Sequence, residues 1–104
     1  FKHIQANKKL HHCKRAVMVA HNAAFDMGFL QAMINRCEIK KHPFHAFTTF
    51  DTATLAAAAY GQTVLAKAMD KAGIEFDEKE AHSALYDAEK TAELYCKILN
   101  DFFN

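Results

Sequence analysis

The segment Arg15-Ala-Val-Met-Val-Ala20 constrains the fold more than any other stretch of the chain. It is a short apolar run with charge only on its N-terminal side, and it is cut off at once by His21-Asn22. Such a run reads as a buried parallel strand. Asn22 is a suitable N-cap for a helix over residues 23–36. Strand, tight turn and helix together make half of an α/β unit, so the fold class expected here is α/β.

The remaining pattern is mostly helical. Residues 2–12 read as a polar helix ending near His11 and His12, and residues 44–50 as a second short strand. Asp51 or Thr52 can cap an Ala-rich helix that ends near Gly61, and a further helix over residues 63–72 is stopped by Gly73. Residues 74–81 form an acidic loop. Ser83 can cap a long final helix with Ala84, Ala88, Ala92, Tyr95, Leu99 and Phe102 at helical spacing. Two strands cannot bury both faces of a parallel sheet. The missing strands are therefore expected either from another chain or from sequence before Phe1.

Composition excludes several classes. With 51% hydrophobic and 24% charged residues in 104 the chain is globular in type, and three Gly and one Pro disfavour linker or collagen-like structures. The longest apolar runs, 16–20 and 55–60, fall far short of the roughly 20 residues a bilayer needs, so no membrane association is expected. Cys13, Cys37 and Cys96 are odd in number and lack C-x-x-C spacing, which suits free thiols and a cytoplasmic location. Residues 1–45 carry eight Lys or Arg against two acids, +6, whereas residues 46–104 carry five Lys against ten acids, −5. The basic part, free of acids over its first fifteen residues, suits a phosphate backbone; a solvated helix face is the plainer alternative.

Two places could carry chemistry. Asp26 heads a helical stripe with Leu30, Met33 and Cys37, and a carboxylate in an apolar stripe requires a cation, hydrogen bonds or water. Otherwise it is a first-turn Asp favoured by the helix dipole at the solvent edge. In His82-Ser-Ala-Leu-Tyr-Asp87 the two end residues would point about 140° apart on a continuous helix. They converge only if Ser83 is the N-cap and His82 lies before the helix. His82 is then suited to take a proton from a metal-bound water and Asp87 to hold the metal, although an ordinary surface histidine fits His82 as well. Asp51 reads first as an N-cap. No C-x-x-C, H-E-x-x-H or Gly-rich phosphate loop is present, so zinc and the common nucleotide cradles are not expected.

The segments His21-Asn-Ala-Ala-Phe-Asp26-Met-Gly-Phe-Leu30 and His82-Ser-Ala-Leu-Tyr-Asp87-Ala resemble the second and third motifs of the DEDDh 3'-to-5' exonucleases. His42-Pro-Phe-His-Ala-Phe-Thr-Thr-Phe-Asp51-Thr-Ala and Gly61-Gln-Thr-Val-Leu65 narrow the likeness to the ribonuclease T family, from about Lys9 onward. The resemblance implies a ribonuclease H-like fold and trimming of single-stranded 3' ends of tRNA and other stable RNAs. It implies two Mg²⁺ or Mn²⁺ ions held by four acids, two of them Asp26 and Asp87, with His82 as base and close enough to count with the metal site. It further implies base stacking on Phe25 and Phe47, for which core packing is the alternative, and a homodimer with Lys9, Arg15 and Lys40 as phosphate contacts. The family's first motif, Asp-x-Glu on a strand, is absent. Asp87-Ala-Glu89 matches it in letters only, because residues i and i+2 of a helix diverge by about 160°. The chain alone is therefore expected to be inactive. A DNA-directed DEDDh exonuclease and a non-catalytic nucleic-acid-binding or dimerisation remnant are the alternatives.

Overall fold

The computed structural model describes residues 1–103 except Ala81 and His82, and the backbone but not the side chains of Ala46 and Phe47. In chain order the elements are α1 (Lys2–Leu10), β1 (Ala16–Ala20), α2 (Ala23–Arg36), β2 (Phe44–Asp51), α3 (Thr52–Tyr60), α4 (Leu65–Ala72) and α5 (Ala84–Phe102). β1 and β2 pair in parallel, which gives the α/β class expected. Their register is uneven: Ala16 faces Phe44, yet Met18 already faces Thr49. The surplus residues of β2 turn out of the ladder, where the His45 ring accepts a hydrogen bond from the Thr48 amide at 3.1 Å.

The strand expected to be buried is not. All five residues of β1 are half-buried, because β2 is its only strand neighbour among the described residues. The core lies instead among α3, α4 and α5, where Ala56, Ala68, Met69, Leu94 and Ile98 are fully buried. Met69, Leu94 and Ile98 each remove a large apolar side chain from water, at about 1.5–3 kcal/mol apiece. Gly61 (φ +70°) and Gly73 (φ +74°) close α3 and α4 in the left-handed conformation, where a side chain would be strained. α4 starts at Leu65, two residues later than its pattern suggests, with Val64 as N-cap.

Two apolar stripes are rotated from their sequence reading. α5 buries Thr91, Leu94 and Ile98, whereas Ala84, Ala88, Ala92 and Phe102 are exposed. The helix packs against α3, α4 and β1, and these neighbours select the face that is buried. α2 buries Ala23 and Ile34, with Met27 and Leu30 half-buried, and leaves Asp26, Met33 and Cys37 outside. No helix is long and apolar enough to cross a membrane among the described residues. All three cysteines are free and exposed, as expected.

Candidate active site

Asp26 and Asp87 are 61 positions apart, yet they line one cavity of about 500 Å³. It is lined by the C-terminal end of β1, residues 18–20, by His21 just beyond it, and by Leu65 and Ala88. In open α/β sheets, ligand sites form in the crevice beyond the carboxyl ends of the strands, and this cavity has that position.

Both carboxylates occupy the first turn of a helix, Asp26 in α2 and Asp87 in α5. The positive end of the helix dipole favours an acid there. Ser83 caps α5 as its sequence suggests, its hydroxyl accepting from the Tyr86 amide at 3.4 Å. Tyr86 also ties down the preceding acidic segment, because its hydroxyl accepts from the Asp77 amide at 2.6 Å. Asp26 is exposed at the edge of its helix, whereas Oδ1 of Asp87 is buried without a hydrogen-bond partner among the described residues. A buried carboxylate oxygen lacking a donor costs free energy that a hard cation would offset. Hard, oxygen-only donors suit Mg²⁺ or Mn²⁺. No cluster of three or more His, Cys, Asp or Glu side chains gathers around a common point among the described residues.

The entrance to α2 is built differently from its sequence reading. Asn22 holds the N-cap position in a left-handed conformation (φ +66°), and its side chain makes no cap bond. The capping oxygens come from the end of β2: Asp51 accepts from the amides of Asn22 (3.0 Å) and Ala23 (3.0 Å) as well as from Ala53 of its own helix (2.9 Å). Burial alone raises the Asp51 pKa, but hydrogen bonds from the backbone of Asn22, Ala53, Ala23 and Thr54 outweigh it and leave the pKa below its ordinary value.

His21 also lines the cavity, a residue that the sequence offered as the break after the first strand and the head of a motif segment, with no role of its own. Nδ1 lies 2.9 Å from the hydroxyl of buried Thr52, and Nε2 bonds the Thr63 carbonyl. Its signal in the sequence was weak, since nothing local in His21-Asn22 announces partners 31 and 42 residues away.

The other expected site residues are dispersed. Phe25 is 68% exposed and meets Phe29 edge-on at 4.9 Å. Phe47 falls within β2, its side chain outside the described set, and His82 lies outside the described residues. Lys9, Arg15 and Lys40 are exposed. Arg15 lines a separate groove with Lys8 and His11, and neither Lys9 nor Lys40 borders that groove or the carboxylate cavity.

A parallel α/β framework presenting two carboxylates at the end of a strand defines an α/β protein with an acidic cavity. The chain belongs to the exonuclease family RNase_T, whose model matches residues 5–95, and with it to the ribonuclease H-like fold. It is 63% identical over 100 residues to ribonuclease T of Vibrio vulnificus (strain YJ016). The corresponding figures are 62% for ribonuclease T of Vibrio parahaemolyticus serotype O3:K6 and 61% for that of Shewanella sp. (strain ANA-3). Each match covers 96% of this chain but only 45–47% of the relative, so the chain spans about half the length of the curated relatives it matches.

Proposed function

We propose that the whole protein carrying this sequence is a 3'-to-5' exoribonuclease of the cytoplasm. It trims single-stranded 3' ends of tRNA and other stable RNAs by two-metal phosphodiester hydrolysis. The 104 residues are the C-terminal portion of its single exonuclease domain. The observation that carries this reading is the shared cavity of Asp26 and Asp87, with one buried carboxylate oxygen left without a donor among the described residues. The relatives' name, ribonuclease T, supports RNA as substrate.

Asp26 and Asp87 would hold two Mg²⁺ or Mn²⁺ ions together with acids outside this chain. Such ions, when bound, activate water and stabilise the leaving oxygen. His82, preceding the Ser83 cap, receives the proton of the attacking water. Exposed Phe25 offers a face for the terminal base, with Phe47 as its companion, at about 1–3 kcal/mol per stacked base. Lys9, Arg15 and Lys40 serve phosphates, and their distance from the carboxylate cavity fits a homodimer in which one subunit's basic surface serves the other's site. Lacking an Asp-x-Glu strand, the 104-residue chain alone is inactive.

The test uses the full-length protein with 3'-labelled single-stranded RNA and DNA of one sequence, with and without Mg²⁺. RNA shortening that needs Mg²⁺ and falls more than about 100-fold in Asp26→Asn supports the reading, since second-shell partners alone cost 10–100-fold. Preference for DNA moves the protein to the DNA-directed branch. Binding that survives EDTA without any shortening replaces catalysis by a binding role.

A further inference from the structure

We propose that His21 is a positioning residue. It pins the α3–α4 linker, residues 61–64, to the end of β1, and so fixes Leu65 as the wall that sizes the cavity for the terminal nucleotide of a single strand. The proposal rests on the exonuclease reading above for its substrate, and on geometry alone for the tether.

Three observations converge on this ring. His21, Asp26, Asp87 and Leu65 line the same cavity, so the ring is close to the site without belonging to the acid set. Both ring nitrogens are engaged, by Thr52 at the start of α3 and by the Thr63 carbonyl in the linker. Thr52 is fully buried, so His21 supplies a hydrogen-bond partner that its hydroxyl cannot find in water.

The bonding fixes the protonation of the neutral ring. A carbonyl can only accept, so Nε2 carries the proton and donates to Thr63. Nδ1 then holds the lone pair and accepts from the Thr52 hydroxyl. No lone pair of His21 remains for a water in the cavity, which separates it from a general base.

The linker is anchored at its ends, where the Gly61 amide donates to the Ala57 carbonyl at 3.0 Å and the Val64 carbonyl accepts from the Ala68 amide at 2.9 Å. Between them, exposed Thr63 is held by its bond to His21. Releasing Thr63 therefore loosens the approach to Leu65 and leaves that wall to its packing against the core of α3, α4 and α5 alone. A displaced wall weakens substrate fit, whereas general destabilisation lowers the fraction of active molecules without altering the affinity of those that remain.

The experiment measures KM and kcat of the full-length protein on a 3'-labelled single-stranded RNA at saturating Mg²⁺, with thermal midpoints alongside. Gln places its amide nitrogen near the position of Nε2, and Asn places its own near Nδ1. His21→Asn is expected to raise KM about tenfold with kcat within about threefold, and His21→Gln to recover most of the lost affinity. Equal effects of Asn and Gln, or a fall in kcat at constant KM, overturn the positioning role. Nitrogen-15 histidine spectra of the same protein should show a slowly exchanging Nε2 proton. The Nδ1-protonated form overturns the tether while leaving the exonuclease reading intact. A wild-type protein that shortens no RNA overturns that reading and with it the substrate half of the proposal, whatever the ring shows.

Discussion

Asp51 and Ala23 meet at 3.0 Å, carboxylate to backbone amide, and through this contact the last residue of β2 completes the helix that begins after β1. The same side chain caps its own helix through Ala53. Two helix N-termini thus depend on one carboxylate. Asp51→Ala should destabilise the fold by about 2 kcal/mol, the upper end for one cap, and Asp51→Asn by less because one oxygen acceptor remains. Chemical denaturation of both variants measures the difference.

The lowered Asp51 pKa sets the direction of a pH effect. The native group holds its proton less tightly than the unfolded one. Its stabilisation is therefore fully present above the unfolded carboxylate pKa and disappears as pH falls through the lower native value. The stability gap between wild type and Asp51→Asn should hold constant from neutrality down to the ordinary carboxylate range and narrow only as the pH falls through it. A gap that widens in acid contradicts the capping geometry.

Asp87 presents the opposite case, a carboxylate oxygen buried without a donor among the described residues. Leaving such an atom unpaired costs about 1–3 kcal/mol, more than the 0.3–1 kcal/mol a first-turn acid gains from the helix dipole. Asp87→Ala in the full-length protein, with divalent ions removed, should be at least as stable as wild type. Adding Mg²⁺ should raise the melting temperature of wild type alone, since only a site that binds the ion gains from it.

Salt dependence separates phosphate contacts from ordinary surface charge. Single-strand binding loses about 0.7 in the slope of log K against log salt for each phosphate no longer neutralised. Arg15→Gln in the full-length protein should flatten the slope by about that amount. Lys97→Gln should leave it unchanged, because the Lys97 ammonium pairs with Asp101 at 3.0 Å. Filter binding over a salt series reads both.

The order and limits of the elements were largely legible in the sequence, because strand, cap and glycine signals are local. The run 16–20, the Ser83 cap and the stops at Gly61 and Gly73 lie where local chemistry places them. Which face each helix buries was not legible, since Ala-rich α5 offers several stripes and the choice falls to what packs beside it. Asp87 and Asp26 could be nominated from their motifs, but their meeting in one cavity is a tertiary fact. The reach of Asp51 across 28 residues to Ala23, like that of His21 to Thr63, leaves no periodic trace.

The cluster of Met69, Leu94 and Ile98 is drawn from residues 52–102 alone, one unbroken half of the sequence. Its helices can meet after closing only short loops, at small entropic cost. The strand that lines the carboxylate cavity, β1, has no such reserve of local contacts. Backbone amides of α4 and α5 should therefore outlast those of β1 in solvent exchange, which leaves the cavity resting on the less protected part of the fold.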